Sequence, residues 1–509
     1  MDIKTTEKIK ESPFYEMIRS MPKGALLHVH FSACINIYNF INYIKKRDIL
    51  IYNKICYISD QQKAIKYWID RENRSKHNKL FNLPSDIEKF DNIMYTLALF
   101  DEKFKPNGWS YLKDLETDEA IKAVVYSCTR MAYDIKEEEG EEKSRWFYLE
   151  RHTNLYWSFI KDINIFPHYF KFILDEAIAD GLSVIEIKSN LGSVYKKEYD
   201  KNMDMYVGTW LSEEEELTIM KDIAEKEKKI YFRLIVGINR GVDKDCEHLK
   251  SDIKIIEKKL INKCSKVDQF DDDLKKYISG IDIFGEEDIG IKNIIYIDEL
   301  YSYCNKLNYY VHSGENNKKQ KDDINNNLLA LLLLSNATDK QVRVGHGLQL
   351  INSKFLVEMY KKNNIHVELC PLSNLIMGYV KKIEEHPGKK LFDEGVSVSI
   401  NSDDPSIFGY DYVTFDWIYA IVFWNLSIEQ IVILCKNSIT SCSLDDATKE
   451  QILEDWKKKF DKWKEENKDF ENNKKNMLQV IRPIAGGGRK TRVKINYMIN
   501  FGKIVNIIK

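Results

Sequence analysis

The chain has 509 residues, 44% hydrophobic and 31% charged, enough apolar content for one large core or two ordinary domains. Its 77 basic and 79 acidic residues leave a formal net charge of -2, which excludes a global pull toward nucleic acid polymers or anionic membranes. Nine scattered cysteines with no C-x-x-C pair fit a reducing compartment and argue against a disulfide framework or a thiolate zinc site.

The first twenty residues, MDIKTTEKIKESPFYEMIRS, mix charge with apolar side chains and contain no apolar core of a secretory signal. The longest strongly apolar run, Leu328 to Leu334, is too short to span a bilayer. A cytoplasmic protein is expected. The first strand-like run is ALLHVH (25–30). Roughly 150 residues separate it from the second, far more than a βαβ unit needs. Within that gap, segments 51–92 and 101–145 are rich in charge and read in part as an inserted helical lid. From residue 180 onward short β-branched runs alternate with longer charged, helical segments. They are LSVIEIK (182–188), IYFRLIVGI (230–238), ISGIDIFG (278–285), YYVHSG (309–314), QVRVGH (341–346), IHVELC (365–370) and VSVSIN (396–401). Strands apolar on both faces and separated by helices indicate a parallel sheet. Eight such units favour a closed barrel.

Helices are expected over 411–425, 427–440 and 446–470, a Lys- and Asn-rich linker over 464–475, and a short tail after it. The expectation is a TIM-like (β/α)8 barrel. It divides into an N-terminal segment with strand one (1–50), a helical insertion (51–145), the main barrel (146–440) and a C-terminal helical extension and tail (441–509).

Each run ends in polar groups: His28 and His30, Glu186, Asn239 and Arg240, Glu286 to Asp288, His312 and Glu315, His346, Ser373 and Asn374, and Asp403 with Asp404. Barrel enzymes build their sites at these C-terminal strand ends. His28 and His30 are i and i+2 on a strand and share a face. His312 ends the fifth run and Asp403 the eighth, so barrel closure brings all four to one mouth. Three imidazoles and a carboxylate with an open position suit a catalytic zinc ion, which lowers the pKa of water to about 7. Glu315, three residues after His312, is placed to act as an acid. His346 can orient the water or accept its proton, and Asp404 can bond a substrate or leaving group. Singly, each of these residues would be an ordinary strand-end or turn residue; their joint order along one barrel is what points to a site.

The strings MPKGALLHVH, GIDIFGEED, HSGE, VGHG, ELCPLSN and HPGKKLFDEGVSVSINSDDPSIFG resemble the adenosine deaminase family of the amidohydrolase superfamily, most nearly its growth factor-related branch. The likeness covers about residues 20–45 and 145–440. It implies one zinc ion per chain on His28, His30, His312 and Asp403, with hydrolysis of the adenine 6-amino group of adenosine or deoxyadenosine. It makes Glu315 the proton donor to N1 and His346 the water-activating histidine. Gly314 would bond purine N3 through its backbone, Asp404 would bond N7, and Trp146 would match a pocket tryptophan.

Two features depart from the family. Where an aspartate that holds the ribose 5'-hydroxyl is usual, this chain has Phe31 and Ser32, and the following ACIN (33–36) looks more like AMP deaminases. Losing that carboxylate removes a hydrogen bond to a nucleoside and a repulsion against a 5'-phosphate. Lys188 and Arg240 are candidate phosphate partners and Ser32 a candidate nucleoside contact, which leaves AMP or dAMP as the alternative substrate. Other classes compatible with the fold are a different metal-dependent hydrolase and a non-catalytic binding protein.

His366-Val-Glu368 lacks the P-C-x-x-C of cytidine-type zinc deaminases and reads as alternating strand residues. AGGGRK (485–490) lacks the full phosphate-loop pattern and reads as a flexible turn that could reach a neighbouring subunit of a homo-oligomer.

Overall fold

The computed structural model describes residues 3–58, 96–100, 109–129, 145–146, 149, 152–153, 159–200, 205–240, 249–287, 290–315 and 325–485. Eight parallel strands form the centre: β1 (Gly24–His30), β2 (Leu182–Ser189), β3 (Tyr231–Asn239), β4 (Ile278–Phe284), β5 (Asn308–Ser313), β6 (Val342–His346), β7 (His366–Leu369) and β8 (Val398–Ile400). They pair in chain order. Just past β8, Asp403 bridges Val29 of β1. His30 N donates to Asp403 O at 3.1 Å, and Asp403 N donates to His28 O at 3.2 Å. The sheet thus closes at its C-terminal rim, and the expected barrel is the observed one.

Helices cover the outside because the strands are buried on both faces. The helix Ile428–Thr440 begins with a capping box, Ser427 with Gln430, that satisfies its first backbone donors. Its Ser438 hydroxyl accepts from Ala25 N at 2.9 Å, fixing it against β1.

The barrel interior is polar where layers of branched apolar residues are usual. Glu186, Lys188, Asp282, Arg343 and Glu368 are all buried there. Arg343 reaches Glu186 at 2.6 Å and Glu368 at 2.7 Å. Lys188 lies 3.4 Å from Asp282 and 3.6 Å from Glu368. Each buried charge therefore faces an opposite one, the condition under which burial is tolerable.

Three expectations are corrected. In the segment expected to be a helical insertion, a helix is present at Asp118–Thr129, but Ile55–Ile58 also pairs antiparallel with Thr96–Leu99 and Ser110–Tyr111. The stretch expected to be a linker over 464–475 lies largely within helices Asp446–Glu466 and Phe470–Ala485. Phe470, Met477 and Ile481 recur at helical spacing and are buried, which the surrounding Lys and Asn residues concealed. Finally, Cys264 and Cys304 are joined in a disulfide, tying helix Leu249–Gln269 to the end of helix Ile297–Tyr303. That bridge removes the cysteine support for a reducing compartment. No helix among the described residues is long and apolar enough to cross a membrane. The AGGGRK motif lies beyond the described residues save Ala485.

Candidate active site

Strand parity and barrel closure bring His28, His30, His312, His346, Asp403 and Asp404 to one end of the barrel. Donor atoms of His28, His312, His346 and Asp403 all lie within 4.8 Å of one another, as do those of His30, Asp403 and Asp404. Asp403 Oδ1 is 3.3 Å from His28 Nε2 and 3.2 Å from His30 Nε2. His30 Nε2 is 3.3 Å from His312 Nε2. Such close approach of bare ring nitrogens and a carboxylate is what a shared cation relieves. His28 Nε2 is buried without a hydrogen-bond partner, as expected of an atom reserved for a metal.

Outer partners hold the rings. His28 Nδ1 lies 2.9 Å from Glu368 Oε2, and His312 Nδ1 lies 2.9 Å from Asp282 Oδ1. Each carboxylate takes the Nδ1 proton and leaves Nε2 free for a metal, an arrangement common to histidine zinc ligands. Burial alone would raise both acids. His312 and Lys188 beside Asp282, and Lys188 and Arg343 beside Glu368, instead hold them well below the usual carboxylate range. Gly345 makes room for this packing, since a Cβ there would sit 2.7 Å from His28 Cε1. Ser373 donates to Asp403 Oδ2 at 2.6 Å, leaving Oδ1 toward the histidines.

Glu315 is buried, 3.6 Å from His346 Nε2. Burial first, then the nearby Asp403 and Glu287 charges, push its pKa well up, which favours the protonated form. Asp404 is raised by burial and by Asp403 next to it. Both Asp403 (φ 61) and His346 (φ 66) occupy the left-handed region, a strain of order 1–3 kcal/mol each that tends to collect at functional sites.

The adenosine deaminase family model matches residues 224–459, which include Glu315, His346 and Asp403. Adenosine deaminase 2 of Dictyostelium discoideum is 24% identical over 455 residues, covering 87% of this chain and 73% of the relative. Adenosine deaminase 2-A of Danio rerio is 23% identical over 473 residues, covering 90% and 83%. Over residues 224–459 the chain is thus similar to the adenosine deaminase family, and over most of its length to relatives named adenosine deaminase 2. Its fold is similar to that of the N6-methyl-AMP deaminase of Arabidopsis thaliana, with a TM-score of 0.52, 14% identity, and coverage of 87% of this chain and 98% of that one. It is also similar to an amidohydrolase of Burkholderia ambifaria solved with bound zinc, with a TM-score of 0.50, 15% identity, and coverage of 89% and 93%.

Several of the residues expected to contact substrate are engaged within the protein. Gly314 N donates to Glu287 Oε1 at 2.9 Å, so it is not free to bond purine N3. Glu287 also accepts from Glu315 N at 2.6 Å and thereby clamps the turn that aims Glu315. Lys188 is spent inside the barrel, donating to Tyr310 O at 2.8 Å between Asp282 and Glu368. Arg240 is fully buried and donates to Ile283 O at 2.7 Å and His312 O at 2.6 Å. Lys188 is therefore not available to a 5'-phosphate, while the Arg240 Nε and Nη1 atoms are buried without a partner among the described residues. Phe31 packs against Phe166 and Tyr169, and Ser32 is half-buried in the turn after β1. Trp146 donates to Tyr379 OH at 2.5 Å, in the loop following β7. Glu368 and Asp282 are not singled out by the sequence reading, and Glu287 enters it only as a strand-end group. The only signal for them was their inward parity on β7 and β4 or their place at a strand end.

Proposed function

We propose that this chain is a zinc-dependent hydrolase that deaminates adenosine and deoxyadenosine to inosine and deoxyinosine. The observation that carries the reading is the convergence of His28, His30, His312 and Asp403 beside a buried Glu315 whose pKa is pushed up by burial. Three imidazoles and one carboxylate on a barrel mouth, with the outer nitrogens of His28 and His312 held by carboxylates, fit zinc in kind and number. A zinc ion there would lower the pKa of water to about 7 and provide the attacking oxygen near neutral pH.

Glu315 then donates its proton to purine N1 as C6 is attacked, and regains one from the C6 hydroxyl as the carbonyl forms. The second water proton leaves with the amino group as ammonia. Asp404, favoured in its protonated form, can donate to N7. The engagement of Lys188 inside the barrel supports a nucleoside over AMP or dAMP, with Ser32 the candidate contact to the sugar.

The test is a panel of adenosine, deoxyadenosine, AMP, dAMP and ATP followed by ammonia release and loss of adenine absorbance. Turnover of the nucleosides with little of the phosphates is expected. Turnover of AMP or dAMP above adenosine would replace the nucleoside reading, and no turnover of any adenine compound would overturn the deaminase reading itself.

A further inference from the structure

His346 lies in the cluster, but its geometry leaves open whether it binds metal, accepts a proton or donates one. The answer lies in a chain of buried hydrogen bonds behind it. Gly388 N is 3.0 Å from His386 Nδ1. A backbone amide can only donate, so His386 Nδ1 is bare and the neutral ring carries its proton on Nε2. His386 Nε2 is 3.1 Å from Asn374 Oδ1, which accepts that proton. The Asn374 amide nitrogen therefore faces the other way and donates to His346 Nδ1 at 3.0 Å. His346 Nδ1 is then bare in turn, and its neutral ring carries the proton on Nε2. That atom is buried, without a protein partner, 3.6 Å from Glu315 Oε1 and 4.0 Å from Asp403 Oδ2. His386, Asn374 and His346 are all buried, so water does not compete for these bonds.

We infer that His386 is a positioning residue which, through Asn374, fixes His346 as an Nε2–H donor toward the attacking oxygen. A ring nitrogen that carries a proton has no lone pair for a metal, so His30 and not His346 completes the ligand set. Nor does Nε2 accept the water proton, which leaves with the amino group as ammonia. Burial lowers His386 to about 3, in keeping with its neutral ring. The inference rests on the deaminase reading for its kinetic consequence, but not for the tautomer.

The test uses the zinc-loaded full chain labelled with 15N-histidine, with His346 assigned by its loss in His346→Gln. The expected spectrum has His346 protonated on Nε2 and bare on Nδ1. Asn374→Asp puts a carboxylate opposite Nδ1 and draws the proton there. Its kcat for adenosine is expected to fall about 10²-fold, as on loss of one oriented donor, with zinc content and KM retained. His386→Leu releases the Asn374 amide and lowers kcat, whereas His386→Gln keeps a donor near the Nε2 position and restores it. Wild-type His346 protonated on Nδ1 would overturn the inference, as would equal kcat in the His386→Leu and His386→Gln proteins. A chain inactive on all adenine compounds that still shows Nε2–H on His346 would sink the deaminase reading while sparing the relay.

Discussion

The acid role proposed for Glu315 follows from where the residue is held. A carboxyl in water would be ionised at pH 7, but burial together with Asp403 and Glu287 shifts this one toward the protonated form. The sign of the pH dependence follows. The useful form lies below the raised pKa, so kcat should decline as pH rises through that value, giving an alkaline limb. Glu315→Gln keeps the shape but cannot transfer a proton; kcat should drop by roughly 10²–10⁴-fold. Zinc bound per chain, measured by atomic emission, should be unchanged. Full activity in that variant would mean that the proton donor is elsewhere. His28, His30, His312, Glu315, Asp403 and Asp404 were readable from the sequence because strand-end position and i, i+2 parity alone bring them to one mouth. The partner of Gly314 N was not readable, since Glu287 is 27 positions away and joins it only through the packing of two strand-end loops.

At the scale of elements, all eight strands were legible, because β-branched runs between helical segments mark their centres and the shared parallel register leaves little freedom. The small sheet at Ile55–Ile58, Thr96–Leu99 and Ser110–Tyr111 was not, because its strands are short and embedded in charge-rich sequence. Nor was the role of Glu368. On β7 it reads as one more alternating residue, and only barrel closure sets it against His28, 340 positions away. Glu368→Gln should preserve the bulk of the side chain but weaken its grip on the Nδ1 proton. Zinc affinity, measured by competition with a chromophoric chelator, should fall 10–100-fold, the usual consequence of losing such an outer partner. Unchanged affinity would show that Glu368 serves only the Arg343 and Lys188 pairs.

At the scale of the whole molecule, the two ends of the described chain are packed together. Trp456 donates to Pro22 O at 2.8 Å and Trp463 to Met17 O at 2.9 Å, so the C-terminal helix Asp446–Glu466 clamps the segment leading into β1. The Cys264–Cys304 bridge, spanning a separation of 40 residues, ties two outer helices of the barrel. Closing a loop of that length removes unfolded-state entropy worth about 4 kcal/mol in the chain-entropy model. A Cys264→Ala, Cys304→Ala double variant should therefore unfold at distinctly lower denaturant concentration than the oxidised protein, with its adenosine KM unchanged. Identical midpoints would mean that the bridge is not formed in solution or adds nothing to stability.

The metal content of the purified chain, set beside its turnover of adenosine, tests the central claim most directly. One zinc ion per chain is expected, with activity lost on chelation and regained when zinc is returned. Protein free of metal that deaminates adenosine at an undiminished rate would contradict it.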